Sequence, residues 1–454
     1  MAKPQEKITV NFVSLGCPKN LVDSEIMLGM LNQDGQFRLA APEQPANVTV
    51  INSCSFVEES KQESIDTILE FAQRKKTGDL DLLVVTGCLP QRYAQEIKTA
   101  LPEVDLFVGT GEYPQLPGLI HHKLAGRARK VYVEDPKYVP DHLTPRLQTT
   151  PFYTKYVKIS EGCSHRCSFC IIPHIRGELN SRGVDDVFNE IQSGMDVGVK
   201  EFNLVAQDLN EYGRDLADRP SLYKLLEKLA GLNGQAWIRL MYMYPLQFPK
   251  KLIQLMSEHP FVVPYVDIPL QHISDRMLKI MNRGSSSRYI HQLIDGLKTA
   301  MPEITIRTTF IAGHPGETHD DFLQLKDFIS KSEFDRVGIF EYSVEEGTPA
   351  ALFGDQVAAA VAKERRHELM TLQQGISLKR NQRFVGKTIT GIFEGISKDQ
   401  PLFQQARHQG QAPDIDGDIL ITDGEAKLGD WSKIKITKAT EYDLIGKIVG
   451  KSKA

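Results

Sequence analysis

Three of the six cysteines in this chain lie within one short stretch, EGCSHRCSFC, from Glu161 to Cys170. Three residues separate Cys163 from Cys167, and two separate Cys167 from Cys170. Cysteine thiolates bind iron–sulfur clusters, and short spacings let one loop surround one cluster. Three ligands would leave one iron of a four-iron cube open, and an open position lets a metal centre bind substrate. The stretch therefore predicts a reactive iron–sulfur site.

A structural zinc ion with His165 as the fourth ligand is the alternative interpretation of this loop. Zinc sites usually pair their ligands across a longer gap. His165 lies inside the loop, so its ring would have to fold back onto the ion held by the flanking cysteines. The spacing therefore favours iron over zinc.

The other three cysteines each follow a predicted strand. Cys17 follows KITVNFVSLG, Cys54 follows NVTVINS and Cys88 follows DLLVVTG. The carboxyl ends of strands line the ligand crevice in open α/β sheets, so we expect these cysteines to converge on a second constellation. The alternative is that each is a small buried core residue, since cysteine is among the most buried residue types.

Alternation of apolar strands and helical segments predicts an α/β protein with three domains. We expect an open parallel α/β domain at residues 7–125, a linker at 126–152, and an incomplete (β/α)6 barrel at 153–380. Glycine-rich alternating segments at 381–450 predict a small antiparallel β-barrel. The loop EGCSHRCSFC follows the first barrel strand, where such barrels carry their chemistry.

Composition limits the class of protein. The chain of 454 residues carries a formal net charge of −4 and lacks the broad positive charge usual in nucleic-acid-binding proteins. Six cysteines are too few for a disulfide scaffold, and MAKPQEKITV has no apolar secretion signal. The apolar runs are strand length, which predicts no membrane span. We expect a cytoplasmic protein with reduced thiols.

The stretch CSHRCSFC resembles the cluster loop of the radical S-adenosylmethionine (SAM) superfamily. With SLGCPKNLVDSE, NSC and TGC, the chain from Lys7 onward resembles the methylthiotransferases of that superfamily, which have a radical SAM barrel and a TRAM-like terminal barrel. The resemblance implies two [4Fe-4S] clusters. One is bound by Cys163, Cys167 and Cys170 and chelates SAM. The other is bound by Cys17, Cys54 and Cys88 and binds the sulfur to be transferred. SAM would be both radical source and methyl donor.

Two branches of this family differ in substrate. SLGCPKNLVDSE, DIPLQH, TFIAGHPGET and APDIDG are similar to the branch that modifies an aspartate β-carbon in the twelfth protein of the small ribosomal subunit. The branch that modifies isopentenyladenosine in transfer RNA usually has Gln-Met-Asn at the positions of Pro18, Lys19 and Asn20. One departure is NSCSF, in which Ser53 and Ser55 replace other small residues beside the retained cysteine.

Further SAM contacts follow from the resemblance. Phe169 matches the position that packs near the adenine, and Gln207 and Glu317 match positions near SAM. Gly313, with Gly316, lies in a turn where backbone can approach a ligand. The alternatives are a helix-capping role for Gln207, a helix-dipole role for Glu317 and simple turn geometry for the glycines. We favour structural roles for two further histidines, His272 and His314.

The partners that the resemblance implies are the ribosomal protein and a low-potential electron donor such as flavodoxin or ferredoxin. The sequence does not indicate the sulfur donor. The acidic residues Asp414, Asp416 and Asp418 would attract a basic ribosomal protein, or form only a solvated turn. Two hypotheses from another class remain, a non-catalytic iron–sulfur electron carrier and a ribosome-binding protein.

Overall fold

The computed structural model describes residues 6–41, 44–397 and 399–452, so the first five residues of MAKPQEKITV lie outside it. The chain forms two compact units. The first comprises the described parts of Met1–Pro151 with Tyr156–Arg166 and Cys170–Val187, and the second comprises Phe152–Lys155, Cys167–Phe169 and the described residues from Phe188 onward.

The first unit is built on a six-stranded parallel sheet with the order β2-β1-β3-β4-β5-β6. Its strands are β1 (Ile8–Ser14), β2 (Phe37–Ala40), β3 (Val48–Ser53), β4 (Leu82–Gly87), β5 (Leu106–Val108) and β6 (Val131–Tyr132). Every residue of β3 and β4 is buried. Continuous apolar strands are expected in a parallel sheet whose two faces are covered by helices.

Helices connect these strands. They are α1 (Pro18–Asp34), α2 (Glu58–Lys76), α3 (Cys88–Ala100) and α4 (Leu116–Leu124). α1 begins with Pro18, whose missing N–H costs nothing in the first turn, and its last residue, Asp34, is followed by Gly35 with φ +78°. Cys17 thus occupies the position just before the first turn of α1.

The segment predicted as a linker contacts the first sheet and α1. β6 lies within it and pairs with β5, and two residues are too few to leave a strand pattern in the sequence. Further along, the buried carboxylate of Glu25 in α1 accepts hydrogen bonds from Arg146 Nε (2.9 Å) and Thr149 N (2.6 Å). Much of residues 126–152 is therefore fixed to the first unit.

The region predicted as an incomplete barrel, residues 153–380, contains a second six-stranded sheet with the order β14-β13-β12-β11-β10-β7. Its strands are β7 (Thr154–Lys158), β10 (Glu201–Val205), β11 (Trp237–Leu240), β12 (Val262–Asp267), β13 (Thr305–Ala312) and β14 (Arg336–Glu341). The strands from β10 to β14 pair in parallel, as six β/α units predict. β7 begins in the second unit and ends in the first.

Helices follow most of these strands. They are α6 (Val184–Asp196), α7 (Leu222–Leu229), α8 (Lys250–Glu258), α9 (Asp275–Ile280), α10 (Ser287–Ala300), α11 (His319–Ser332) and α12 (Ala359–Gln382). Serine side chains at 221, 274 and 286 accept hydrogen bonds from first-turn N–H groups of α7, α9 and α10. In the first unit, β8 (Ser160–Glu161) pairs with β9 (Asn180–Ser181), and α5 (Ile172–Arg176) lies between them in the chain.

The C-terminal strands close into a five-stranded barrel with the order β15-β16-β17-β19-β18. They are β15 (Thr388–Ile396), β16 (Gln404–His408), β17 (Ile419–Asp423), β18 (Trp431–Ala439) and β19 (Leu444–Lys451). β17 and β19 pair in parallel, and the other pairs are antiparallel. The predicted fold class is confirmed.

A buried ion-pair cluster joins this barrel to β10 within the second unit. Glu201 of β10 accepts from Arg407 Nη2 of β16 (2.6 Å) and from Arg239 Nη2 of β11 (2.8 Å). Trp237 and Trp431 pack beside it with ring centroids 4.6 Å apart. The terminal barrel is thus packed onto the parallel sheet of its own unit.

Within the described residues, no helix is both long and apolar enough to cross a membrane.

Candidate metal centres

Three cysteines meet at the carboxyl edge of the first sheet. Cys17 precedes α1, Cys54 follows β3, and Cys88 is the first residue of α3. The preceding strands β1, β3 and β4 are neighbours in the sheet. Cys54 and Cys88 are buried, whereas Cys17 is half-buried. The structure therefore brings the three residues of the predicted second constellation to one place.

Gly16 allows the loop of Cys17 to approach Cys54. Its φ is +87°, and a Cβ built on it would lie 2.8 Å from Cys54 Cβ and 3.0 Å from Cys54 Sγ. A larger residue would collide there and strain the backbone. The close approach of the two cysteine-bearing segments thus requires glycine.

The three thiols affect one another electrostatically. Burial and the neighbouring thiols of Cys54 and Cys17 raise the pKa of Cys88 to about 12, against the opposing effect of Arg176. A positively charged metal group would convert such thiols to bound thiolates, and the N-termini of α1 and α3 place partial positive charge at Cys17 and Cys88. All three cysteines are free of disulfides. This all-sulfur donor set fits an iron–sulfur cluster.

A buried charge network, formed by Asp23, Lys158, Glu161 and Arg176, lies beside Cys88. Arg176 Nη1 donates to Asp23 Oδ2 (2.6 Å), and Lys158 Nζ donates to Asp23 and to Glu161 Oε2 (2.6 Å). Arg176 Nη2 lies 3.3 Å from Cys88 Sγ. Two acids and two bases compensate one another, as burial requires. The network ties the segments that precede Cys163 and follow Cys170 to α1 of the first unit.

The second set of cysteines lies on the loop between β8 and α5. The N–H of Cys163 donates to Gly177 O (3.1 Å). Gly162 has a φ of +77°, and a Cβ there would lie 2.0 Å from Glu178 O. Cys163 and Cys170 are half-buried and belong to the first unit, whereas Cys167 is buried and belongs to the second. The same ten-residue stretch therefore contributes residues to both units.

In the second unit, the segment Cys167–Phe169 is fixed by hydrogen bonds. Ser168 N donates to Met281 O (3.0 Å), and Ser168 O accepts from Ala350 N (2.9 Å). Arg283 Nη1 donates to Cys167 Sγ (3.5 Å). The position of the middle cysteine is thus held by its own neighbours within this unit.

His314 supports the same segment. Its Nε2 lies 3.3 Å from Ser168 Oγ, its Nδ1 lies 2.9 Å from Pro315 O, and its ring packs edge-on against Phe169 with centroids 6.2 Å apart. Burial lowers the pKa of His314 to about 4, so the ring is neutral near pH 7. Nδ1 then donates to Pro315, and Nε2 accepts from Ser168. His314 has the structural role that we favoured, and the adenine contact of Phe169 stays a prediction.

Glu317 binds protein groups on both carboxylate oxygens. Oε2 accepts from Gly313 N (2.8 Å) and Oε1 accepts from Arg365 Nη1 (2.6 Å). Thr318 caps α11, so the helix-dipole alternative for Glu317 has no support. His272 Nδ1 accepts from the backbone N–H groups of the next two residues, and burial lowers the pKa of His272 to about 3. His272 is therefore neutral and carries its proton on Nε2, which has no hydrogen-bond partner among the described residues, so its structural role stays a prediction.

Gln207 follows β10 and is half-buried. The capping role considered for it falls to the next residue, because Asp208 Oδ1 accepts from Asn210 N (2.8 Å) and from Tyr244 N (3.0 Å). The contact of Gln207 with SAM stays a prediction.

The glycines of the turn after β13 have packing reasons to be glycine. Gly313 has a φ of +78°, and a Cβ there would lie 2.4 Å from Ala362 Cβ. Gly316 has a φ of +81°, and its Cβ would lie 2.6 Å from Asp355 Oδ2. This favours the turn-and-packing alternative over backbone approach to a ligand.

Replacing Gly313 with alanine is expected to destabilise the protein without SAM by about 1–3 kcal/mol, because the new methyl group would overpack against α12. Gly375→Ala is the control: Gly375 lies inside α12, and a Cβ built on it would meet no atom within 4 Å outside its own helix backbone, so alanine should be neutral or stabilising by up to about 1 kcal/mol. Chemical denaturation in the absence of SAM measures both. An unchanged stability of Gly313→Ala combined with weaker SAM binding would restore the ligand-approach interpretation.

The sequence motifs did not identify two arginines, Arg176 and Arg283, that lie beside the cysteines. Arg176 lies shortly after Cys170, in the helix that follows the loop, so its proximity to that loop could have been noticed. Its contact with Cys88, 88 positions away, could not. Arg283 is 116 positions from Cys167, and no local pattern marks it.

Three family models match the chain. The uncharacterized protein family UPF0004 matches residues 9–109, the radical SAM superfamily matches 157–329, and the TRAM domain matches 385–449. The cysteines of the first sheet fall in the first match, and the loop EGCSHRCSFC falls in the second.

Curated relatives match over nearly the full length. The ribosomal protein uS12 methylthiotransferase RimO of Geobacter sulfurreducens is 47% identical over 99% of this chain and 100% of its own length. The chain belongs to the RimO family. The RimO proteins of Geotalea uraniireducens and Myxococcus xanthus are 48% and 44% identical over 98% and 96% of this chain, and 99% and 91% of their own lengths. This RimO-family protein is thus a methylthiotransferase of the radical SAM superfamily.

Solved structures of lower identity share the fold of this RimO-family enzyme. The radical SAM methyltransferase TsrM from Kitasatospora setae, with cobalamin and a [4Fe-4S] cluster bound, has a TM-score of 0.57 at 13% identity over 76% of this chain and 77% of that one. The cobalamin-dependent radical SAM enzyme OxsB has a TM-score of 0.51 at 14% identity over 80% of this chain and 56% of that one. Superfamily membership identifies SAM and a [4Fe-4S] cluster as cofactors of this enzyme.

Proposed function

We propose that this enzyme adds a methylthio group to the β-carbon of an aspartate in ribosomal protein uS12, using two [4Fe-4S] clusters. Cys163, Cys167 and Cys170 would hold the cluster that binds SAM. Cys17, Cys54 and Cys88 would hold the second. The electron donor would be a low-potential protein such as flavodoxin or ferredoxin.

The observation that carries this proposal is that all six cysteines of the chain fall into two sets of three. One set is contiguous in sequence, and the other is assembled from three neighbouring strand ends of the first sheet. Both sets offer three thiolates, one fewer than a four-iron cube needs. The full-length similarity to RimO proteins supports the assignment of methylthio transfer to uS12.

The reaction needs metal because the β-carbon C–H bond has no usable acidity, so a side-chain base cannot activate it. When bound, the clusters would supply the electron for reductive SAM cleavage and an iron site for sulfur. One C–H bond breaks and one C–S bond forms. The hydrogen atom leaves in 5′-deoxyadenosine, with methionine as the other product of the first SAM, and a second SAM gives up its methyl group and leaves as S-adenosylhomocysteine. The electron released when the C–S bond forms would pass to the cluster that supplies the sulfur.

The chain's own residues position and desolvate these groups. Ser168 and His314 hold the middle of the cluster loop, and the buried charge network fixes its two flanks within the first unit. Gly16 and Gly162 allow the close backbone approaches that place Cys54 and Cys163. These contacts fix the backbone segments that carry the cysteines, each within its own unit.

The acidic segment at Asp414–Asp418 gives little support to uS12 docking. The side chain of Asp416 is only 1% exposed and accepts from Tyr265 Oη (2.9 Å) and Ala412 N (2.9 Å). Burial raises the pKa of the half-buried Asp418 to about 7, with Glu394 adding to the effect. Of the three aspartates, Asp414 alone is exposed. The proposed recognition of uS12 therefore does not rest on this segment.

The test is to incubate the reconstituted enzyme with SAM, sulfide and a strong reductant, together with uS12 or with transfer RNA bearing isopentenyladenosine. We expect uS12 to gain a net CH2S on one aspartate and the RNA to remain unchanged. A uS12 variant with asparagine at the modified aspartate is the control and should gain nothing. Product on the RNA alone would move this chain to the other branch of the family.

A further inference from the structure

Each proposed set of cluster ligands has one buried arginine that donates to a cysteine sulfur. Arg176 Nη2 lies 3.3 Å from Cys88 Sγ in the first unit. Arg283 Nη1 lies 3.5 Å from Cys167 Sγ in the second. Arg176 and Arg283 are 3% and 4% exposed, so water screens neither charge well. The same chemical device therefore occurs beside each set.

The surroundings of Arg176 fix its direction. Nη1 donates to Asp23 Oδ2 (2.6 Å), and Nη2 donates to Asn20 Oδ1 (3.0 Å) as well as to the sulfur. Both partners lie on α1, the helix that begins directly after Cys17. Nη1 also donates to Glu161 Oε2 (3.3 Å), and a planar guanidinium held by these three acceptors keeps an N–H group of Nη2 aimed at Cys88.

Arg283 is held differently. Nη2 donates to Pro269 O, and the guanidinium carbon lies 4.0 Å from the ring centroid of Tyr244. These contacts are with a carbonyl and an aromatic ring, whereas Arg176 faces the carboxylate of Asp23. The positive charge that Cys167 experiences is therefore less offset by a neighbouring acid than the charge at Cys88.

We propose that Arg176 and Arg283 are positioning residues that raise the reduction potential of the cluster each one touches. Reduction adds negative charge to a cluster and its sulfurs, and hydrogen bonds and positive charge at those sulfurs stabilise the reduced state. Arg283 would ease electron entry into the cluster that cleaves SAM. Arg176 would raise the reduction potential of the second cluster independently of Arg283. This inference rests on the two-cluster assignment of the proposed function.

The experiment is a crossed redox titration of anaerobically reconstituted protein, followed by electron paramagnetic resonance. Each cluster is measured in a background in which the other three cysteines are alanine, so that the two signals do not overlap. Arg283→Gln should lower the reduction potential of the cluster on Cys163, Cys167 and Cys170 by ~59 mV, which for one electron is a tenfold change in the reduction equilibrium. The same variant should leave the reduction potential of the cluster on Cys17, Cys54 and Cys88 unchanged.

The reciprocal variant is Asp23→Asn with Arg176→Gln, which removes one acid and one base and keeps the buried charge network neutral. This double variant should lower the reduction potential of the cluster on Cys17, Cys54 and Cys88. The reduction potential of the cluster on Cys163, Cys167 and Cys170 should stay unchanged. Asp23→Asn alone is the control of opposite sign. It removes the carboxylate and keeps the arginine, so the potential should rise.

Conservative variants separate tuning from folding. Arg176→Lys and Arg283→Lys keep the charge and should retain most of the parent potential. Full iron content with unshifted potentials in the glutamine variants would overturn the inference, and so would loss of iron from the lysine variants at unchanged circular dichroism. If either set of cysteines fails to bind iron in the protein with native arginines, the two-cluster proposal itself fails.

Discussion

Replacing Cys163, Cys167 and Cys170 together with alanine is expected to abolish formation of 5′-deoxyadenosine from SAM, and with it all methylthio product. Under the proposed assignment these residues hold the only cluster that binds SAM for reductive cleavage. The bound iron should fall from about eight to about four atoms per chain, by the stoichiometry of two cubane clusters. Iron analysis and chromatography of the SAM products under strong reductant measure the two effects.

The reciprocal variant, with alanine at Cys17, Cys54 and Cys88, is the matched control. It should lose the same amount of iron and the methylthio product, but should still convert SAM to 5′-deoxyadenosine. Deoxyadenosine from the first variant would overturn the assignment, and complete loss of iron from either folded variant would indicate one shared site. A parent protein that binds iron but never consumes SAM would favour the electron-carrier hypothesis.

The second large effect is expected from Glu201→Gln, which should destabilise the second unit by about 3–5 kcal/mol, because it leaves the buried Arg239 without its acid partner and Arg407 with Glu394 alone. Glu201 is fully buried and pairs with Arg407 and Arg239. The two tryptophans of the chain, Trp237 and Trp431, lie beside this cluster. Denaturation followed by their fluorescence therefore reports directly on the contact between the terminal barrel and β11.

The pH dependence provides a second readout of the same residue. Burial alone would raise the pKa of Glu201, but Arg407 and Arg239 outweigh burial and hold it at about 2, below the ordinary value of 4.5. A carboxylate with a lowered folded-state pKa stabilises the protein above its unfolded pKa and loses that contribution as the pH falls towards the folded value. The parent should therefore lose stability between about pH 4.5 and 2.

Glu201→Gln should lack this part of the acid dependence. Glu227→Gln is the control, since Glu227 pairs with Lys224 on the exposed face of α7 and should give no measurable change in stability. Equal behaviour of the two variants would show that the buried cluster does not hold the barrel in place.

The sequence predicts most strongly those features that local patterns encode. The apolar runs that became β3 and β4 place Cys54 and Cys88 at strand ends, and the alternation of strands and helices makes those ends adjacent. The fold class and the meeting of Cys17 with these two residues follow from that alternation.

Other features depend on partners far away in the chain. Asp416 looks like a solvated acid in APDIDG, but its side chain is shielded from solvent and accepts a hydrogen bond from Tyr265, 151 positions earlier. The collision that makes Gly313 necessary comes from Ala362 in a later helix. Such long-range contacts produce no periodicity or characteristic spacing in the sequence. They depend on tertiary packing, so local sequence patterns do not predict them.

The way the terminal barrel is joined to its unit affects how family members can be recombined. Arg407 reaches across to Glu201, Arg239 Nη1 donates to Gln409 O (2.7 Å), and Trp431 packs on Trp237. A chimera that exchanged only the TRAM sequence with a transfer-RNA-modifying relative would therefore separate these pairs at the splice. A working exchange should carry Glu201, Arg239 and Trp237 together with the barrel, so the part of the chain that can be exchanged as a unit is larger than the TRAM domain.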